Sequence, residues 1–562
     1  MTPIIDAGER LLAQPILFTE FRFVWIFVVV FAVHWTLRGA TARKVWLLLA
    51  SHAFYACFFI GNPLEFFPRL AAGRFGELPV GWWFPVLLVL STLMDYRVGF
   101  GIADARSERA RRAWLLLSIV ANLGVLGFFK YYGFFEANVR ALFEWIGLTP
   151  AWEPLRIFLP YGISFYTFQS LSYSIEVYRR RLPVERSLLN LAFFIAFFPQ
   201  VVAGPIVRAM TFLPQTREPR RLDRVDLRGC ATLFLVGFFK KACLADGLAP
   251  LVDAYFTAPA GYSAASAWAA MLSYAVQIYG DFSGYTDMAI AVARALGYEL
   301  TPNFAFPYLS RNVAEFWRRW HISLSTWLRD YLYISLGGNR GSRLFTARNL
   351  LLTMLLGGLW HGAAWTFVAW GGLHGLALVL HREWARRAPP PRRSLRLFAT
   401  ALTFAFVVLA WVPFRSGDVY VDAKNGKPLR ALADGFYPEH AERTRHPRAA
   451  LERDAHTGDW HTAGDPSAVR VHRVTGGFGT TAVVWRAMLL PGSAGDRTLA
   501  RPALWALLLA LALLHVANAH RAFATWWRGL PDWSYAALLG AAAALALFFK
   551  PVAYRAFIYF QF

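Results

Sequence analysis

The chain has 562 residues, 57% of them hydrophobic and only 17% charged, with 23 Trp and 48 Phe. With a mean hydropathy of +0.37, this composition excludes an ordinary soluble domain and points to a polytopic membrane protein. The net charge of +23 does not indicate nucleic acid, because the arginines fall mostly in short loops between apolar runs, where the positive-inside rule puts them. Cys57, Cys230 and Cys243 lie in or beside apolar runs and read as small buried hydrophobes.

The first apolar run has neither a strongly basic flank nor a small-residue cleavage site, so it reads as a retained helix rather than a signal peptide. Spans are expected at 21–37, 45–60, 81–95, 113–129 and 158–177, each about the length that crosses a ~30 Å hydrocarbon layer. The basic loops 97–112 and 179–186 are expected in the cytoplasm, with the N-terminus outside. The run 188–202 breaks this alternation, since a further basic stretch, 208–228, follows it. One crossing cannot leave both flanks inside. Pro199, Gln200, Gly204 and Pro205 interrupt helix there, so the spacing predicts a re-entrant segment whose free backbone groups need cover from protein or water.

Helices are expected at 231–245 and 268–296. The second carries Gln277, Tyr279, Asp281, Ser283, Tyr285, Thr286 and Asp287. Acids and hydroxyls at membrane depth need an aqueous cavity or a positive partner, so Gln277, Tyr279, Asp281, Ser283, Tyr285 and Asp287 are candidates to line a substrate path or site. The alternative is that the two aspartates pair with nearby arginines. In the basic segment 303–349, Trp317, Trp320, His321, Leu324, Trp327, Leu328 and Tyr331 recur at helical spacing, which predicts one interfacial amphipathic helix ended by Gly337, Gly338 and Gly341. His321 lies on its apolar face, where a buried structural histidine and a functional one are both open. The run 350–381 is flanked by basic loops on both sides, and its glycines allow close helix approach. It reads as a shallow hairpin enclosing Trp360, His361 and His374.

A linker, Pro389-Pro390-Pro391, precedes a span at 397–414, and further spans are expected at 504–516 and 535–549. Between them the stretch 416–477 is polar, with no sustained period, and reads as an extramembrane insert outside the membrane. Its histidines, His440, His446, His456, His461 and His472, fit no zinc spacing, and no metal is expected. The organisation is thus a membrane-embedded core (1–415), a polar insert (416–477) and a C-terminal transmembrane part of the same core (478–562).

No phosphate-binding loop, nucleophile elbow or zinc signature stands out. What remains is imidazole held among carboxylates and hydroxyls in a membrane protein. Histidine titrates near neutrality and can take a proton from an attacking hydroxyl or thiol and return it to a leaving group. Acyl transfer is the natural chemistry, with His361 and His321 as candidate catalytic residues, and with Trp317, Trp320 and Trp360 joining the polar helix residues as candidates to line the acyl path or substrate site.

Five motifs carry a resemblance, in chain order: Pro199-Gln-Val-Val-Ala-Gly-Pro205, Gln277-Ile-Tyr-Gly-Asp-Phe-Ser-Gly-Tyr-Thr-Asp287, Phe316-Trp-Arg-Arg-Trp-His321-Ile-Ser-Leu-Ser, Leu359-Trp-His361-Gly and the C-terminal Phe557-Ile-Tyr-Phe-Gln-Phe562. They resemble the membrane-bound O-acyltransferases, in the branch that serves alginate O-acetylation. The resemblance implies an all-α polytopic protein, a ring of transmembrane helices with re-entrant segments around a thin centre, with His361 as the signature histidine and His321 as the second. It implies acetyl transfer or export for O-acetylation of an extracytoplasmic, alginate-like polysaccharide at the bacterial inner membrane. No cofactor is expected to be bound; the acyl donor would be acetyl-CoA or an acyl carrier, and a periplasmic acetylase-type protein the partner, with the polysaccharide as indirect acceptor. Alternatives are D-alanyl or other acyl transfer to a cell-envelope polymer, or a polar-lined transporter, for which the repeated halves expected of many transporters are missing. The insert departs from the family pattern.

Overall fold

A computed structural model describes residues 16–60, 63–79, 81–155, 157–257, 259–387, 393–416, 419–422, 451–453, 460–462, 470–475, 477–490, 495–519 and 526–551. The C-terminal motif from Phe557 to Phe562 lies outside them. In chain order the helices are α1 (Phe21–Thr36), α2 (Ala40–Ala56), α3 (Pro63–Ala71), α4 (Phe84–Asp104), α5 (Glu108–Leu126), α6 (Tyr132–Trp145), α7 (Ile163–Tyr178), α8 (Leu188–Ala196), α9 (Phe198–Val201), α10 (Ala209–Phe212) and α11 (Leu227–Phe238). They continue as α12 (Asp246–Thr257), α13 (Ala264–Ala295), α14 (Val313–Arg319), α15 (Ile322–Trp327), α16 (Arg343–His361), α17 (Trp365–Arg387), α18 (Arg396–Arg415), α19 (Gly477–Leu489), α20 (Pro502–Ala519) and α21 (Asp532–Phe549). The membrane part is all-helical. Among the described residues, five helical stretches are long and apolar enough to cross a membrane: α4, the continuous stretch Glu108–Trp145, α18, α20 and α21. Leu509, Leu513 and Leu514 on α20 and Phe548 on α21 face outward, as hydrocarbon-facing side chains should.

The chain divides into two compact units, residues 1–238 with 284–303, and residues 239–283 with 304–562. In the first, α7 is buried along almost its whole length, including Ser164, Thr167, Gln169, Ser170, Ser172, Ser174 and Glu176. It packs against α4, α5 and α10. Asp95 of α4 is fully buried, and its Oδ1 accepts from Ser118 Oγ (3.1 Å) and Asn122 Nδ2 (3.0 Å) of α5 and from Ser174 Oγ (3.4 Å) of α7. These bonds supply partners that lipid cannot. The segment after α7 is α8, nine residues long, and at 1.5 Å per residue it spans about 14 Å, too short to cross as a helix. The chain breaks at Phe197 and resumes as the four-residue α9, with Pro199 in its first turn, where a missing N–H is tolerated.

In the second unit the dominant pairing is α16 against α17, joined by a short turn at Gly362. The helices cross closely because neither bears a side chain at the contact. A Cβ on Gly358 would lie 2.2 Å from Phe367 O, and one on Gly371 2.2 Å from Met354 O.

Four expectations change. The basic segment is not one helix: α14 stops before Trp320, and α15 begins after His321 and runs into a π-helical turn, Leu328–Tyr333. The span expected at 113–129 does not end in a loop but continues through a π-helical turn, Gly127–Tyr131, into α6. The helix expected at 231–245 likewise continues, through Phe239–Ala245, into α12. Finally, four short strands of the insert, β1 (Val419–Asp422), β2 (Leu451–Arg453), β3 (Trp460–Thr462) and β4 (Arg470–Thr475), form an antiparallel sheet in the order β1-β4-β3-β2. Strands of three to six residues are too short for a period to show in sequence. The hairpin expected at 350–381 is present but longer, because both helices extend into their basic flanks.

Candidate active site

Within the second unit, three local structures hold the candidate histidines. The first is the break between α14 and α15. Asn312 caps α14, its Oδ1 accepting from the N–H of Glu315 (2.8 Å), while Glu315 returns Oε2 to the N–H of Arg311 (3.1 Å). The Glu315 carboxylate also receives Arg311 Nε (2.9 Å) and Arg319 Nη2 (2.7 Å). Burial pushes the Glu315 carboxyl up, but the hydrogen bonds from Arg311 and the charges of Arg319 and Arg311 outweigh it and hold the group below its ordinary value.

Past the last turn of α14, His321 adopts a left-handed backbone conformation, φ 44° and ψ 54°. For a residue with a bulky side chain this is strained, by about 1–3 kcal/mol, and it persists only where the surroundings over-determine it. The imidazole is fully buried against Phe282 of α13, ring centroids 4.6 Å apart at 84°. The second structure is the C-terminal end of α16, which delivers Trp360 and His361 just before the hairpin turn. His361 is 3% exposed. Trp370 meets its ring edge-on at 5.1 Å, and Phe414 of α18 at 5.4 Å. The third is His374 on α17, whose Nδ1 accepts from the Trp317 indole N–H (3.3 Å).

The two imidazoles converge: His321 and His361 lie with ring centroids 6.3 Å apart, and Trp360 is 6.2 Å from His321. Around them Trp320 packs against Trp411 (5.0 Å), and Trp411 stacks with Trp370 (5.7 Å, 15°), enclosing the pair in aromatic surface.

The polar helix residues separate into two sets. Gln277 and Tyr279 are half-buried and Asp281 and Ser283 buried, all on the part of α13 that belongs to the second unit. Tyr279 packs on Trp320 (6.3 Å) and on His515 of α20 (5.4 Å), so it joins the aromatic wall. Asp281 instead forms an ion pair with Lys241 (2.6 Å), whose ammonium also meets Asp246 (2.6 Å). The partner is a lysine from the π-helical turn before α12, not one of the arginines of the alternative reading. Tyr285 and Asp287 belong to the first unit, where Tyr285 stacks on Phe18 (4.8 Å). Pro199, Gln200, Gly204 and Pro205 also belong there, and all four are buried; Gln200 donates from Nε2 to Phe194 O.

Trp317 is half-buried and Trp320 and Trp360 buried. Sequence reasoning missed Lys241, Trp370, Trp411 and Phe414 as neighbours of the site, and Asp95 as a membrane-depth acid. Lysine in an apolar run was the legible signal for the first; the aromatic residues resembled ordinary core. Among the described residues no group of three or more His, Cys, Asp or Glu comes together to hold a metal ion.

The sequence also has known relatives. A profile of the membrane-bound O-acyltransferase family matches residues 47–415. The chain is 42% identical over 410 residues to a probable alginate O-acetylase, AlgI, of Azotobacter vinelandii, covering 72% of this chain and 76% of that protein. It is 42% identical over 411 residues to the corresponding protein of Pseudomonas aeruginosa, covering 72% and 73%. A peptidoglycan O-acetyltransferase of Helicobacter pylori is 35% identical over 434 residues, covering 71% and 77%. The chain belongs to the membrane-bound O-acyltransferase family.

Proposed function

We propose that the chain transfers acetyl groups for O-acetylation of an extracytoplasmic, alginate-like polysaccharide, with His361 and His321 as its catalytic pair. The names of its relatives support the acetyl group and the polysaccharide. The observation that carries the site assignment is the buried approach of the two imidazoles, ring centroids 6.3 Å apart. In the reaction, His361 takes the proton of an attacking hydroxyl or thiol. The freed lone pair adds to the acyl carbonyl carbon, the donor's carbon–sulfur bond breaks, and the imidazolium returns its proton to the departing thiolate. His321 orients the donor. The donor is acetyl-CoA or an acyl carrier, the setting the bacterial inner membrane, and the recipient a periplasmic acetylase-type protein that acts on the polymer.

The test compares ester-linked acetate on the envelope polysaccharide of the parent, a deletion strain, and the deletion strain carrying variants. Deletion should remove the ester. His361→Ala should leave it absent while the protein inserts at normal levels, and His361→Gln, which forms hydrogen bonds but does not exchange protons, should be nearly as inactive. General base contributions run to about 10²–10⁴-fold. Parental acetylation by His361→Gln would make His361 structural and end the proton-transfer role.

A further inference from the structure

The signature motifs account for His321 and His361 but leave His374 without a task. It is fully buried on α17. Phe316 stacks on its ring (5.9 Å, 12°), Trp370 lies 5.0 Å away, and Phe406 of α18 closes another side at 5.4 Å. An imidazole so enclosed by hydrocarbon needs a reason to be there, since a leucine would fill the space without a polar group to satisfy.

The reason lies in its hydrogen bond. The indole of Trp317 can only donate, so His374 Nδ1 must accept, which places the ring's proton on Nε2. Trp317 sits on α14, four residues before His321, whose strained backbone follows the end of that helix. His374 sits on α17, the second helix of the hairpin whose first helix ends at His361. Trp370, one turn before His374, touches both His361 (5.1 Å) and His374 (5.0 Å). The bond therefore joins the segment that carries His321 to the hairpin that carries His361. Apolar ring contacts tolerate sliding, whereas a hydrogen bond fixes distance and direction together.

We propose that His374 is a positioning residue for the acyl transfer: its Nδ1 holds Trp317 and so fixes the spacing of His321 from His361. The proposal rests on the assignment of these two histidines as the catalytic pair. A misplacement on the order of 1 Å is enough to cost about 10²-fold in rate, so a bond distant from the chemistry can matter to it.

Side-chain geometry separates this role from mere packing. Asparagine places its Oδ1 near the position of a histidine Nδ1 and can accept the indole proton. Glutamine places its polar end near Nε2 and leaves Trp317 without an acceptor. Leucine fills the space and does neither. In the deletion strain, His374→Asn should hold ester acetate within roughly threefold of the parent, while His374→Leu and His374→Gln should each lose about tenfold or more, a loss of the size one buried hydrogen bond supplies. Trp317→Phe should lose a similar amount, and adding it to His374→Leu should cost little further, because both remove the same bond. All variants are compared at equal amounts of monodisperse, detergent-extracted protein, which separates inactivity from loss of fold. Equal activity of the Asn and Leu variants, additive losses in the double variant, or a Gln variant better than Asn would overturn the proposal; the last would make Nε2–H the working group. Ester acetate that persists in the deletion strain would count against the proposed function itself.

Discussion

Lys241 and Asp281 form an ion pair at 2.6 Å in which both side chains are buried. Asp246 reaches the same ammonium at the same distance, so one positive charge is shared by two carboxylates. This arrangement makes Asp281 part of the framework beside the site, since the next residue, Phe282, is the one packed on His321.

Removing the lysine should therefore do more harm than removing one acid. Lys241→Met removes the ammonium that two carboxylates share, and breaking a buried pair from one side costs about 3–5 kcal/mol. Asp281→Asn keeps the shape, and Lys241 still has Asp246. Fluorescence-detected size exclusion of tagged protein should show Lys241→Met nearly absent and Asp281→Asn reduced but folded. Parental levels of the Lys241→Met protein would show that the triad does not hold this region together.

The hairpin makes a second expectation, at its glycines. Alanine at Gly358 or Gly371 puts a methyl 2.2 Å from a backbone carbonyl oxygen of the facing helix, which can yield only if the helices separate. Overpacking of this kind costs about 1–3 kcal/mol, and separation also displaces His361. Gly372→Ala is the control, as its nearest neighbour would be the end of Leu355 at 3.5 Å, an ordinary contact. Melting of the purified proteins should fall for the first two and not for the third; since alanine favours helix over glycine, an equal fall for all three would mean that some general effect of the added methyl governs, rather than close approach.

Glu315 gives a pH dependence with a definite sign. Burial raises its carboxyl and the hydrogen bonds and charges of Arg311 and Arg319 lower it, with the net result below the ordinary value. A depressed folded-state pKa stabilises the protein at pH above the unfolded value, about 4.3 for glutamate, and that contribution is lost as pH falls through the lower folded value. The parent should thus melt above Glu315→Gln at neutral pH, and the gap should narrow on acidification below about pH 4.3. A gap that stays constant with pH would assign the difference to shape, not charge.

Much of the architecture was readable because hydrocarbon imposes long apolar runs. α18, α20 and α21 fall where the runs 397–414, 504–516 and 535–549 put them. What could not be read was where helices break for tertiary reasons. The apolar face from Trp317 to Tyr331 keeps its helical spacing across His321, yet the backbone there turns left-handed; periodicity records which side faces the core and not whether the axis continues. Lys241 was visible as a lysine in an apolar run, but its pairing with Asp281 was not. Loop arginines are many, and the lysine that reaches it sits inside an apolar run, where only packing decides which way it points. His321 and His361 were legible as residues, while their approach, on which the proposed pairing rests, depends on two segments distant in the chain meeting.

The burial of α7 bears on how the protein is made. Its sequence contains Ser164, Gln169, Ser170, Ser172, Ser174 and Glu176 on a helix of 16 residues, and polar groups of this kind are penalised in lipid unless other helices receive them. This segment should therefore fail to partition from the insertion machinery into the bilayer by itself, and should wait there until α4 and α5, its neighbours in the finished protein, have already arrived. Biogenesis would then follow the chain order, because this buried helix comes after two of the helices that shelter it, α4 and α5. A glycosylation reporter fused behind α7 should record poor insertion of the lone segment and efficient insertion when α4 to α7 are synthesised together; efficient insertion of the lone segment would remove the requirement.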